Sequence, residues 1–158
     1  MITELLKQIS DAFEDVPRPN ITKSVARALD DEWEVSEARE AVLHGADSET
    51  HWSELTDIDI EQFDDIFAFL DADGYRFYLP AYMAYALRRH RNSDSGAINH
   101  TIHACTFYQG SFAQFTPLQM RCVLDFLTFC ASNDDYFDAE QAAYAVDYLE
   151  QNAPSAQQ

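Results

Sequence analysis

The sequence predicts an all-α fold, a compact single-domain bundle of six or seven helices, on three observations. Apolar residues recur at three- and four-residue intervals over most of the chain. Short alternations such as YRFYL (75–79) find no neighbouring run to pair with. Four glycines and five prolines in 158 residues leave little material for a series of tight hairpins. A chain of this length buries roughly 70% of its unfolded surface. At 47% hydrophobic residues, it can build a core without metal or disulfide staples. Residues 1–152 read as the domain and APSAQQ, 153–158, as a flexible tail.

The first helix is expected over 3–13, where Leu5, Leu6, Ile9 and Phe13 form one stripe, and VPRPN stops it. Asn20 or Thr22 can cap a second helix carrying Ile21, Val25 and Leu29. DDEWEVSEARE leaves its end open, and Ser36 can cap a third helix ending near His44 and Gly45. GADSETH reads as loop, tucked onto the core by Trp52 and Leu55. Thr56, with Asp59 three residues on, starts a helix expected to run to about Leu70. Its apolar side holds Ile60, Phe63, Phe67 and Leu70; Asp57, Glu61, Asp64 and Asp65 gather on another side as an outward acidic ridge. The next helix is expected to begin at Pro80 and end near Arg89, apolar nearly all round and therefore central. Another follows near 97–105, then the irregular TFYQGSFAQF (106–115). FTPLQM is the clearest start signal: Thr116 caps, Pro117 takes the first helical position, Gln119 completes a capping box, and Phe115 faces Met120 as a staple. That helix runs to about Ala131, and a last one from the Asp138 cap to about Glu150.

The formal net charge is −18, from 28 acids against 10 bases. Such a chain is repelled by nucleic acid and by anionic membranes, and it suits a basic protein partner. With lysine only at 7 and 23, it also suits a salty habitat that selects acidic surfaces. The N-terminus lacks the basic start and apolar core of a signal peptide. The apolar run 77–87 is far shorter than the roughly 18–20 residues of a membrane span. A cytoplasmic protein with three reduced cysteines is therefore expected.

FLDADGYRFYLPAYMAYAL, 69–87, begins like a calcium loop. With Gly74 at the sixth position, however, only Asp71 and Asp73 remain as side-chain ligands, and the twelfth position is Pro80 instead of glutamate. A turn reads better, with Gly74 left-handed at a helix end and the aspartates as turn formers. The same run resembles the hallmark of a bacterial family of unknown function, F-L-x-x-x-G-[YF]-R-[FY]-Y-L-P-A-[YF]. The resemblance extends to AFEDVPRP (12–19), to Trp52 of HWSEL and to FTPLQMRCVLDFL, so it covers most of the chain. It implies importance for Trp52, Gly74, Arg76, Tyr78, Pro80, Thr116 and Pro117, and implies no reaction. Arg76, flanked by Tyr75, Phe77 and Tyr78, is expected to be partly buried and to meet a carboxylate, a carbonyl or a ring, as an anchor or a ligand contact.

Few groups offer chemistry. His100 and His103, one helical turn apart in HTIHAC, are the candidate metal ligands, but Cys105 falls off their face and zinc needs three or four donors. Glu40 with His44, and His51 with Glu54, lack the Glu-x-x-His pattern of di-metal bundles. Cys122 and Cys130 lie on an apolar face as small hydrophobes. Arg88, Arg89 and Arg91 complement a helix C-terminus. No nucleophile elbow, phosphate loop or H-E-x-x-H occurs. No cofactor and no catalytic residue is assigned.

The expected function is non-catalytic binding of a basic protein, in its concrete form immunity-type inhibition of a basic bacterial toxin. The partner-binding candidates are Asp57, Glu61, Asp64 and Asp65, with Asp30, Asp31 and Glu34. The alternatives are a small metal-dependent enzyme using His100 and His103, or a housekeeping protein with a salt-adapted surface.

Overall fold

The computed structural model describes residues 1–107 and 111–152. Among them the chain is all helical: α1 Ile2–Ala12, α2 Lys23–Asp31, α3 Glu37–Ala46, α4 Asp57–Gln62, α5 Ala72–Arg89, α6 Ala97–Phe107, α7 Pro117–Ala131 and α8 Ala139–Asn152. Two 3-10 turns, Trp52–Glu54 and Phe67–Phe69, interrupt the loops. Part of the expected irregular segment 106–115, and the whole expected tail 153–158, lie outside the described residues.

α5 is the axis of the bundle. From Gly74 to Leu87 every residue but Arg76 is buried. Around it lie α1, α4 and α6, with α7 on α1 and α8 across α6 and α7. A helix wrapped on all sides can bury tyrosines only if each hydroxyl finds a partner. Tyr75, Tyr78, Tyr82 and Tyr85 stand at helical spacing, and each does. Tyr75 donates to the Ala104 carbonyl at 3.1 Å and Tyr82 to the Phe63 carbonyl. Tyr78 donates to Glu49 at 2.9 Å, and Tyr85 reaches Glu61 at 3.0 Å.

α5 departs from expectation at its start. It begins at Ala72, and Asp71 is its N-cap, accepting from the Gly74 N–H at 2.8 Å. Gly74 is therefore inside the first turn and does not end a preceding helix. Its glycine is explained by crowding: a Cβ there would lie 3.0 Å from Leu70 Cδ2 and 3.1 Å from Leu70 Cβ. Pro80 sits midway along α5 and not in its first turn. Aspartate and glycine serve a turn and a helix cap alike, so the residue types fit both readings and only the direction was reversed.

The helix expected from Thr56 to Leu70 stops at Gln62. Its start is as the pattern requires, with the Thr56–Asp59 capping box in place. Three carbonyls released at the break take remote side-chain donors. Arg27 donates to Gln62, Tyr82 to Phe63, and His100 Nδ1 lies 2.9 Å from the oxygen of Asp64. Freed from the helix, Ile66, Phe67 and Leu70 still reach the core. α7 matches expectation throughout, with its Thr116–Gln119 capping box and Pro117 in the first turn.

Candidate functional site

Side chains from distant segments meet at the C-terminal end of α1, where helix geometry leaves carbonyls without intrahelical partners. Trp52 Nε1 donates to the Phe13 carbonyl at 2.9 Å, and Gln119 Nε2 to Ala12 at 3.0 Å. His51 Nε2 lies 3.0 Å from the Glu14 carbonyl, while its Nδ1 accepts from the Ser53 N–H, which fixes Nε2 as the donor. Arg76 Nε donates to Gln119 Oε1 at 3.2 Å, tying α5 to the start of α7. Trp52, His51 and Gln119, the last held by Arg76 and by the Thr116 capping box, thus knit distant segments around one helix end.

A buried polar cluster lies nearby. Lys23 Nζ bonds Asp47 Oδ1 at 2.9 Å and Glu49 Oε2 at 2.8 Å, with all three side chains under a tenth exposed. The Tyr78 hydroxyl joins it, donating to Glu49 and accepting from the Lys23 N–H at 2.9 Å. Burial favours neutral Asp47, but bonds from the Ser24 hydroxyl and Lys23 outweigh it and hold the carboxyl below its usual range. Burial likewise opposes charge on Lys23, and bonds to Glu49 and Asp47 raise its affinity for the proton overall. Burial, with the Glu49 charge, pushes the Tyr78 phenol far up, so it acts as a donor and not as a base. None of the cavities described below opens onto Lys23, Glu49 or Tyr78.

The histidine pair builds nothing comparable. His100 is engaged with the Asp64 carbonyl, and the His103 carbonyl accepts from the Thr106 hydroxyl. Among the described residues no three histidine, cysteine, aspartate or glutamate side chains gather as a metal site. Cys105, Cys122 and Cys130 are all buried and free. Burial pushes the thiols of Cys105 and Cys122 up to about 12, which leaves them un-ionised and unreactive near neutrality.

The acidic candidates fall into two groups. Asp57 is occupied: Arg88 Nη1 and Arg89 Nε bond its two oxygens at 3.0 and 2.7 Å. Part burial raises its carboxyl, and the two arginines bring it below the usual range. Glu61 accepts from Tyr85, Asp64 is half-buried and Asp65 is exposed. These four side chains do not share one helical face, because α4 ends between Glu61 and Asp64.

The second group has a different surrounding. Asp30, Asp31 and Glu34 are exposed on the end of α2 and the connection to α3. Five carboxylates fall within 30–37, DDEWEVSE, with no base among them. In their midst Trp33 is fully exposed, at 103% of its reference area. The helix that follows, α3, contains no buried residue and leaves Val42 68% exposed. α3 is held at its ends by the Ser36 cap, by Arg39 on Glu32 at 2.7 Å, and by Arg18 on the His44 and Asp47 carbonyls at 2.6 Å. A shallow cavity of about 400 Å³ lies elsewhere, between Trp52, Leu55 and Ala81, and one of about 570 Å³ between α1 and α7. Trp33 was not singled out as a contact from the sequence, where a tryptophan is read as core by default. Its signal was the run of acids around it, Asp30, Asp31, Glu32 and Glu34, with no base among them.

The model of a family of unknown function, DUF6714, matches residues 1–153. The chain belongs to this family. The match spans all eight helices, so the Trp33 segment and the α1-end network both fall within the DUF6714 region. No curated protein and no solved structure matches the chain. Among the described residues, no helix is long and apolar enough to cross a membrane.

Proposed function

We propose that this DUF6714 protein is a non-catalytic binding module that recognises a basic protein through the segment 30–37 and α3. The observation that carries the reading is Trp33, wholly exposed among five carboxylates. Leaving an indole in water is costly to solubility and contributes nothing to the core, whereas tryptophan is the residue most enriched where binding energy concentrates. Carboxylates around an aromatic anchor divide the work: the charges speed encounter with a basic surface, and the ring supplies short-range affinity. The net charge of −18 adds long-range steering toward the same kind of partner.

The narrower form of the proposal is an inhibitor that caps a basic bacterial toxin, supported by the acidity, the small size and the inert thiols. The test is co-expression with the basic products of adjacent genes, followed by affinity and growth measurements. Replacing Asp30, Asp31 and Glu34 with Asn, Asn and Gln should slow association about tenfold at low salt and flatten its salt dependence. It should also weaken any protection from growth arrest. Affinity and protection indifferent to this triple change would refute the assignment of the surface.

A further inference from the structure

We propose that the cleft between the loop 16–20 and the first turns of α5 is a binding site for a small oxyanion, a carboxylate or phosphate group held by Arg18 and Arg76. It is separate from the Trp33 surface and does not depend on it. The cleft has a volume of about 130 Å³ and is lined by Pro17, Arg18, Asn20, Asp73, Arg76 and Gln114, among others. That is room for one such group and not for a nucleotide.

Where the cations of this chain go distinguishes these two arginines. Lys7, Lys23, Arg39, Arg88 and Arg89 each sit on a carboxylate. Arg27 and Arg91 lie over the rings of Phe63 and Tyr136, and Arg121 stands exposed to water. Arg18 and Arg76 are partly buried, and among the described residues neither pairs with a carboxylate. This occurs in a chain with 28 acids to choose from. Both guanidiniums are held by neutral oxygens through one nitrogen. Arg18 uses Nη2 on the His44 and Asp47 carbonyls, and Arg76 uses Nε on Gln119. The remaining donors are uncommitted: Arg18 Nε is buried without a hydrogen-bond partner, and the terminal nitrogens of Arg76 bond no described protein group. A buried guanidinium donor left unsatisfied is unfavourable unless something supplies the acceptor. Two guanidiniums lining one cleft, each with donors to spare, suit the planar, multi-acceptor geometry of an oxyanion. Asp73, exposed at the rim, opposes such a ligand and so sets the sign of a decisive variant.

The arginine Nε–H resonances can be followed by two-dimensional NMR while sodium phosphate or sodium acetate is titrated into the full chain, with sodium chloride holding ionic strength at about 0.15 M. At least one of the two anions should shift the Arg18 and Arg76 signals in a saturable, one-to-one manner with millimolar affinity; which one does so names the group. Asp73→Asn, a change on an exposed side chain, should tighten that affinity three- to tenfold, on the order expected for removing one nearby negative charge. Arg76→Gln should weaken it at least tenfold, with a melting curve confirming the fold. Shifts no different from those with chloride alone would overturn the proposal. So would an affinity unmoved by Asp73→Asn, which remains informative even if Arg76→Gln fails to fold.

Discussion

At Lys23 the chain buries an ammonium against two carboxylates and a phenol, an arrangement whose value lies in its completeness. Attraction roughly offsets the desolvation of such a cluster, but removing one member strands the rest. Lys23→Met should therefore destabilise the fold by about 3–5 kcal/mol, measured by urea unfolding. The pH dependence follows from Asp47. Its folded carboxyl binds protons less readily than in the unfolded chain, so its contribution is present above the ordinary aspartate value of about 4 and is lost as pH falls below it. The stability gap between the native protein and Asp47→Asn should be constant from about pH 6 to 8 and shrink below about pH 4. A gap that widens on acidification would contradict that sign. Lys23 acts at the other limit: its proton is held more tightly when folded, so its contribution persists below about pH 10 and fades above. None of these partners is near Lys23 in sequence, Asp47 and Glu49 being 24 and 26 residues away. The residue types alone gave no hint of the cluster.

Helix boundaries show which physics was legible at the level of elements. α7 was readable because everything that starts it is local: Thr116, Pro117 and Gln119 satisfy one another within a single turn. The end of α4 was not readable. Apolar periodicity continues past Gln62, but the backbone leaves the helix because Arg27, Tyr82 and His100 arrive from three other elements to satisfy the released carbonyls. The α5 start was misplaced for a third reason, since Asp71 and Gly74 obey the rules of a turn and of an N-cap equally well. Gly74→Ala separates the two accounts. Inside a helix alanine is favoured over glycine by about 1 kcal/mol, so any loss must come from crowding, chiefly against Leu70 and secondarily against the capping oxygen of Asp71 at 3.2 Å. We expect a net loss of about 1 kcal/mol, coupled to Leu70: in a double-mutant cycle with Leu70→Ala the penalty should largely disappear. A penalty independent of Leu70 would argue against crowding on that side chain as the reason for this glycine.

At the scale of the whole molecule, the chain divides its charges by purpose. Arginines 88 and 89 tie down Asp57, Lys23 sits between the buried Asp47 and Glu49, and Asp30, Asp31 and Glu34 face water around an aromatic ring. The acidity of that last surface was legible from composition; its anchor was not, because exposure is a property of the folded chain and tryptophan is usually buried. The same holds for α3, which caps correctly at Ser36 yet buries nothing. Its half-buried Leu43 and His44 hold one side against α2 and Pro19, and the rest of its surface faces water, as the proposed docking role requires.

The affinity of Trp33→Ala for the basic partner recovered by co-expression, set beside its unfolding midpoint, tests this account most directly. Trp33 makes no core contact, so stability should change by less than about 0.5 kcal/mol. Affinity should fall by a factor of about 30 or more, as for an interface anchor. Unchanged affinity with unchanged stability would show that the exposed indole plays no part in recognition and would remove the basis for the proposed function.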